Sequence, residues 1–389
     1  MAQRSTDLPR FRRTGSTAPV DFDKSEIEDT LTARFTKMVA RHPNRIAIKD
    51  GDLSYTYFEL NAAVNRVAHA LIAAQGKQPG RVGLLFETSA NAVIAHMGAL
   101  KAGKAFFALD PNFPTARLNV IYTDADTEVV VTTDEHLQLA ADLGGRKIIS
   151  LDSLDAGLPD SDPEVEIAND TLAAIVYTSG STGRPKGVMQ THRVLLHRVW
   201  TDTHYSGITI DDRQSMLLSL TFGAGFPDVL DALLNGASLH PFNLRKNDLI
   251  QLANWIDEEQ VTIFTPPVAA FRQFYRTCPP EKKFSGVRLV ILAGEGSYRA
   301  EMEAFRRLFD TSHCELVNLL AASEAQIFCR YRITSETPLP ERILPVGYGD
   351  PDKEIRIVDE DGNDVAKGEA GELIIRSPYL SEGYWRRPE

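Results

Sequence analysis

Cysteine is scarce in this chain. Cys278, Cys314 and Cys329 are the three thiols among 389 residues, too few and too scattered for a disulfide framework or a spaced zinc site. They read as small buried apolar side chains, compatible with a reducing cytoplasm. An excess of positive charge is missing as well: Asp and Glu number 53 against 42 Lys and Arg, for a formal net charge of −11. That balance argues against a general nucleic-acid binder, so an anionic ligand must be held by a local device. No apolar run approaches the ~18 residues of a membrane span. The early arginines Arg4, Arg10, Arg12 and Arg13 lack the apolar stretch that a secretory signal places behind its basic residues. A membrane partner is therefore not expected, and a cytoplasmic location is. Fixed-period repeats and low-complexity tracts are absent too.

What is present is ordinary for a globular chain, 43% hydrophobic and 24% charged residues. At ~100–200 residues per domain this length predicts two or three packed units. Residues 1–20 are polar, rich in Ser, Thr, Arg and Pro, and without hydrophobic periodicity, which predicts a disordered lead-in or linker. Structure should begin near Phe22. Amphipathic stretches at 26–39 and 57–74 alternate with short β-rich runs at 45–48, 81–85, 128–132 and 147–150. The rhythm continues with expected strands at 214–220, 238–241, 262–266, 288–292 and 315–319 and expected helices at 248–259 and 299–308. This alternation predicts an α/β fold of two packed layers with largely parallel sheets. Past Pro345, short runs at 354–358 and 371–376 flank the turn signal Asp361-Gly362-Asn363, which predicts a small antiparallel β unit.

The most informative segment is the apolar run Ala173-Ala174-Ile175-Val176-Tyr177 followed by Thr178-Ser179-Gly180-Ser181-Thr182-Gly183-Arg184-Pro185-Lys186-Gly187. Those last ten residues carry three glycines, four hydroxyl side chains and one lysine. Flexible backbone N–H groups, hydroxyl donors and a cation in one loop are chemistry for holding phosphate. A nucleotide P-loop requires GxxxxGK[ST]; here Lys186 follows Pro185 and precedes Gly187, so that assignment fails. A lone glycine pair after a strand would signify only a turn. Glycines, hydroxyls and lysine together favour a binding loop.

At these residues the chain resembles the adenylate-forming superfamily: acyl-CoA synthetases, luciferase-like enzymes and the adenylation domains of nonribosomal peptide synthetases. The resemblance covers nearly the whole chain. Leu53-Ser54-Tyr55 with Glu59-Leu60 resembles the first core motif, and Leu100-Lys101-Ala102-Gly103 through Leu109-Asp110-Pro111 resembles the second. Asn112-Phe113-Pro114 with Arg117-Leu118 follows the peptide-synthetase style of that second motif. Residues 177–187 with Thr191-His192 are similar to the third and most specific motif. Gly371-Glu372-Leu373-Ile374-Ile375 with Gly383-Tyr384-Trp385 is similar to the sixth.

The resemblance implies attack of a substrate carboxylate on the α-phosphorus of ATP, giving an acyl-adenylate and pyrophosphate. Thioester transfer to a phosphopantetheine carrier protein, or to CoA, then follows. By the same resemblance Thr178, Ser179, Gly180, Ser181, Thr182 and Gly183 hold the phosphates, with Lys186 as a mobile point charge. Gly294, Glu295, Asn318, Leu319, Leu320 and Ser323 border the nucleotide, and Glu324 ligates Mg²⁺. Thr178, Lys186 and Glu324 are the expected catalytic residues. Leu320 departs from the family, which commonly stacks an aromatic ring on adenine at that position.

The acyl pocket implied by the resemblance comprises Phe222, Gly223, Ala224, Pro227, Ile291, Ala293, Leu319, Ile327 and Phe328, all without charge. Amino-acid-activating relatives place an Asp at the position of Gly223 to pair with the substrate α-ammonium. Burying that cation unpaired costs several kcal/mol, so the expected substrate is a non-α-amino acid, whether aliphatic, aryl or keto. Asp228 and Asp231 read as carboxylates at a helix N-terminus. The family completes its site with an Asp in a Tyr-x-x-Gly-Asp segment and a Lys on a C-terminal subdomain of ~100 residues, and neither lies in this chain. Residues 21–389 are therefore expected to be the large N-terminal subdomain, with 345–389 as its β-barrel part, acting with a C-terminal subdomain in cis. The alternatives are an acyl-CoA ligase and a non-catalytic relative that keeps the fold as a binding module.

Overall fold

The β-rich runs become strands within a few residues of their expected limits in a computed structural model, which describes residues 20–179, 185–221 and 225–387. In chain order the strands are β1 (Ile46–Asp50), β2 (Leu53–Thr56), β3 (Gly80–Leu85), β4 (Lys104–Leu109), β5 (Val129–Thr132), β6 (Lys147–Ser150), β7 (Leu172–Ser179), β8 (Pro185–Thr191) and β9 (Arg213–Met216). They continue with β10 (Ser238–Pro241), β11 (Ile263–Phe264), β12 (Leu289–Leu292), β13 (Glu315–Ala322), β14 (Gln326–Ile333), β15 (Tyr348–Gly349), β16 (Glu354–Val358) and β17 (Glu372–Arg376). The helices are α1 (Leu31–Arg41), α2 (Tyr57–Gln75), α3 (Ala90–Lys101), α4 (Thr115–Ala125), α5 (Leu137–Asp142), α6 (His192–Ser206), α7 (Gly225–Leu233), α8 (Leu249–Glu258), α9 (Val268–Thr277) and α10 (Arg299–Leu308).

One sheet runs in the order β6-β5-β3-β4-β7-β8. Its pairs are parallel except for the antiparallel hairpin β7–β8. The second runs β15-β14-β13-β12-β11-β9-β10-β1-β2. It is parallel from β13 through β1 and antiparallel at both ends. A continuous core joins the sheets, combining Val82, Leu84 and Phe106 of the first with Ile48, Met216, Leu239, Leu289 and Val317 of the second. Helix α3 sits in that core and buries nearly every residue it has, the pattern of a helix covered on all sides. Its Gly98 is required by close packing, because a Cβ there would lie 2.6 Å from Val67 of α2.

Two expectations are refined. The amphipathic stretch at 26–39 is broken: a short 3₁₀ turn over Lys24–Glu28 precedes α1, and Thr30 begins α1 by accepting from Ala33 N at 3.1 Å. The small antiparallel unit is present as β16–β17, an open two-stranded ribbon among the described residues. No described helix is long and apolar enough to cross a membrane. Because the parallel strands of each sheet share a direction, the chain after β7, after β12 and after β13 emerges at carboxyl edges, where open α/β sheets bind their ligands.

Candidate active site

The glycine and hydroxyl loop joins β7 to β8. Thr178 of β7 stands opposite Lys186 of β8, and the backbone of Ser179 opposite Pro185. Directly opposed residues share a face of the sheet, so Thr178 and Lys186 project together, both half-buried. Gly180, Ser181, Thr182 and Gly183 lie outside the described residues. Gly187 permits the hairpin to close, since a Cβ there would meet Ile175 Cγ2 at 2.6 Å. Thr191 ends β8 and caps α6 by accepting from Val194 N at 3.3 Å. The next residue, His192, is buried; its Nδ1 accepts from Leu31 N at 3.3 Å, and burial lowers its pKa to about 4. Thr191 and His192 thus serve the frame of the loop.

The outer edge of β8 is covered by the chain around Tyr384. Met189 N donates to Gly383 O at 3.0 Å and Trp385 N to Gly187 O at 2.7 Å. That pairing sets the Tyr384 ring 5.3 Å from Lys186 Nζ. The phenol donates to Glu324 Oε1 at 2.9 Å, and donation to a carboxylate raises the phenol pKa above its usual value. Tyr384 therefore bridges the cation and the carboxylate that the sequence singled out separately. Gln190 Nε2, on β8, donates to Ser323 O at 3.1 Å and ties the hairpin to the end of β13. On the far side Tyr177 donates to Asp124 at 2.8 Å, and Arg387 donates to Asp124 at 3.2 Å and to Pro185 O at 3.1 Å. The sequence assigns no role to Tyr384 or Gln190; its one signal for Tyr384 is the Gly383-Tyr384-Trp385 run that resembles the sixth motif.

The expected nucleotide border divides. Ser323 and Glu324 are half-buried at the end of β13. Asn318, on β13, spends its amide on Pro345 O at 2.9 Å. Gly294 follows β12 at φ +89°, while Glu295 is exposed and paired to Arg272 at 3.0 Å. Leu320 does not face the same side as Leu319. A bulge after Leu320 shifts the β13–β14 register, so that Leu320 opposes Cys329 and Ala321 opposes Ile327. Leu320 and Phe328 consequently pack with Ala325, Cys329, Ile355, Ile375 and Leu380, whereas Leu319 and Ile327 join Ile291 and Ala293 at the main core. This corrects the expectation that Phe328 lines the same pocket as Leu319: the bulge leaves Phe328 without an opposing residue and turns it to the side of its neighbour Cys329. Pro227 is buried within α7. Phe222, Gly223 and Ala224 lie outside the described residues.

The expectation for Asp228 and Asp231 divides: Asp228 lies in the first turn of α7 as expected, whereas Asp231 lies beyond it. Every residue of α7 is buried, and neither carboxyl is a solvated helix-end charge. Asp228 accepts from Gln214 Nε2 at 3.1 Å and Thr265 Oγ1 at 3.0 Å, and burial lifts its pKa to about 7. Burial raises Asp231 too, and the nearby Asp202 carboxylate adds to the effect. Both line a small cavity with Arg198, Asp202, Gln214, Ile291 and Leu319, in which charged, amide and apolar side chains meet.

Among the described residues no three His, Cys, Asp or Glu side chains gather to hold a metal alone. A single carboxylate at a phosphate site fits Mg²⁺, which takes one or two carboxylates and fills its shell with phosphate oxygens and water. Glu324 meets that requirement: Tyr384 occupies one acceptor position of Oε1, and a carboxylate offers about four.

A sequence profile described as AMP-binding enzyme matches residues 35–385. Tyrocidine synthase 1 of Brevibacillus parabrevis is 29% identical over 359 residues, covering 91% of this chain and 32% of its own length. Gramicidin S synthase 2 of Brevibacillus brevis is 31% identical over 364 residues, covering 92% of this chain and 8% of its own. The chain thus spans about a third or less of these curated relatives. Among solved structures the nonribosomal peptide synthetase FmoA3 superposes with a TM-score of 0.84 at 23% identity, over 96% of this chain and 39% of that one. Its form with α-methyl-L-serine-AMP bound gives 0.83 at 22% identity, over 94% and 42%. That likeness establishes the fold.

Proposed function

Since the chain belongs to the AMP-binding enzyme family, we propose that it activates a carboxylic acid with ATP as an acyl-adenylate, for transfer to the phosphopantetheine thiol of a carrier protein. The observation that carries this reading is the convergence of Thr178, Lys186, Tyr384 and Glu324 at the carboxyl edge of the sheets. In the reaction a carboxylate oxygen bonds to the α-phosphorus while the bond from that phosphorus to the β-bridging oxygen breaks, and pyrophosphate leaves with the electron pair. An anion must approach a polyanion, so fixed donors and cations aimed at the phosphates carry most of the catalytic burden. Thr178 offers a hydroxyl donor and Lys186 a point charge to the distal phosphates. Glu324 would hold Mg²⁺, which supplies charge neutralisation at the phosphoryl oxygens. Tyr384 restrains both Glu324 and Lys186.

We infer further that the acid carries no α-ammonium. Gly223 has no carboxylate to offer one, and Ile291, Ala293, Leu319 and Ile327 present apolar atoms. In this reading residues 21–389 act as the large subdomain of such an enzyme, in the cytoplasm, and 345–389 supply its β part. The likeness to peptide synthetases favours a carrier-bound thiol over CoA.

Calorimetric titration of the folded chain with ATP and with AMP, in the presence of Mg²⁺, tests the nucleotide site. Wild-type protein should bind ATP, and Lys186→Ala should weaken ATP about tenfold or more while affecting AMP much less, because the lysine addresses the distal phosphates. No ATP binding at millimolar concentration would falsify the reading, and an equal loss for both nucleotides would move Lys186 off the β- and γ-phosphates. Acid-dependent pyrophosphate exchange with paired acids tests the substrate class: the non-amino acid should outperform the α-amino acid of matching side chain.

A further inference from the structure

The connections of the first sheet reverse direction between β3 and β5. These neighbours are parallel, yet β3 leads through α3 to β4 on one side, while β5 leads through α5 to β6 on the other. Helix α3 packs into the core shared with the second sheet and α5 into the core on the opposite face. Adjacent strands whose connections part in this way leave a crevice at their carboxyl ends, where open α/β sheets take ligands. A cavity of about 480 Å³ lies there, within the range of small-molecule sites. Its walls come from residues 86–89 after β3, 133–136 after β5 and 241–247 after β10, with Asp50 at the end of β1 and Trp255 of α8. It shares no residue with the nucleotide site.

The walls are tied to one another by the protein itself. Glu87 pairs with Lys246 at 2.5 Å and accepts from Asn112 and Asn243 at 3.1 Å each, which joins the end of β3 to the segment after β10. Asp50 accepts from Ala90 N at 2.8 Å and joins β1 to α3. The Trp255 ring leans on Phe242, with centroids 5.0 Å apart. Other groups at the cavity are left over. Thr88, Asn91, Thr133, His136 and Trp255 are half-buried there, and their side-chain polar atoms have no hydrogen-bond partner among the described residues.

These leftover groups select the class of ligand. An anion is disfavoured: Asp50, Glu87 and Glu135 border the cavity against one lysine, Glu87 holds that lysine, and Asp50 already occupies the N-terminus of α3. A compact cation would answer the carboxylates but leave the indole N–H and the Asn91 amide N–H groups unmet. An apolar molecule would strand every polar group on the walls. Hydroxyls both donate and accept, so several of them on one small frame can serve the amide, the threonines, the indole and Asp50 together. The Trp255 ring offers an apolar face to the C–H side of such a frame. We propose that the crevice between β3, β5 and β10 is a binding site for an uncharged, monosaccharide-like polyol, separate from the nucleotide site and independent of the acid-activating reading.

Saturation-transfer NMR on the whole chain tests this, with D-glucose, D-galactose, D-mannose and myo-inositol at millimolar concentration and with choline and inorganic phosphate as charged controls. At least one polyol should receive saturation from wild-type protein. Its affinity should fall about tenfold in Trp255→Leu, which removes the ring and its N–H donor, and several-fold in Thr133→Val, which deletes only a hydroxyl without a protein partner. Calorimetric titration with ATP should be unchanged by either substitution. No transfer to any of the polyols from wild-type protein overturns the inference, and this outcome needs no variant to fold. Polyol binding retained in full by both folded variants overturns it as well, since the polyol would then lie elsewhere. So does transfer to choline or phosphate that both variants abolish, which would assign the crevice to a charged ligand. A loss of ATP affinity matching the loss of polyol affinity overturns the separation of the two sites.

Discussion

At the carboxyl edge of the sheets Lys186, Glu324 and Tyr384 remain half-exposed, whereas Asp228 and Asp231, behind the wall formed by Ile291 and Leu319, are each 5% exposed. The two regions manage charge differently as a result. A half-exposed cation and carboxylate keep part of their hydration and can wait for a ligand without penalty. A buried carboxyl has lost that hydration, so it must be paired, hydrogen-bonded or protonated. Asp212 illustrates the paired solution: two contacts of 2.7 Å from Arg288 hold its pKa below the ordinary value against full burial. Asp228 has only neutral donors, and its pKa goes the other way. Burial alone therefore does not decide the state of a carboxyl; the partner does.

The largest expected effect that can break this contrast is on stability against pH. The pKa of Asp228 rises from 3.8 to about 7 on folding, so the native state holds a proton that the unfolded chain releases. Its contribution is fully present below the unfolded value and is lost as pH rises through the folded one, a change of roughly 4 kcal/mol at ~1.4 kcal/mol per unit. Urea unfolding between about pH 4 and pH 8 should accordingly show Asp228→Asn gaining on wild type as pH rises. Parallel curves for the two proteins would place Asp228 in a charge-paired setting like that of Asp212.

At the exposed end the effects are smaller and appear in binding. Glu324→Gln should reduce the Mg²⁺-dependent gain in ATP affinity about tenfold, ~1.4 kcal/mol, with the fold intact by circular dichroism. An undiminished Mg²⁺ effect would remove Glu324 from the metal. Tyr384→Phe should be milder still. It deletes one hydrogen bond to a carboxylate but keeps the ring over Lys186, so a several-fold loss of ATP affinity is expected, consistent with ~1 kcal/mol for a hydrogen bond open to solvent. A Tyr384→Phe effect as large as that of Lys186→Ala would mean that the phenol touches the nucleotide directly.

Much of the fold follows from local pattern. The runs at 147–150, 238–241 and 354–358 and the helix at 299–308 appear with the expected limits, because β-rich runs and helical periodicity are properties of a few consecutive residues. The phosphate chemistry proposed for 178–187 is similarly local, since glycines, hydroxyls and a lysine must be close in sequence to share one loop. Glu324 is recognisable beside Ser323 for the same reason. Partnership across the chain is another matter. Tyr384 meets Glu324 from 60 residues away, and only the strand-like pairing of 382–385 with β8 brings them together. The separation of Leu320 and Phe328 from Leu319 and Ile327 depends on one bulge, which shifts register without a signal in hydropathy. Asp228 sits in the first turn of α7, where charge is ordinarily stabilised by exposed backbone N–H groups, and Asp231 follows it further along the helix. Composition and periodicity determine that such a helix forms; whether it meets water or the interior is decided by the elements packed around it, and that choice sets the charge state of both residues.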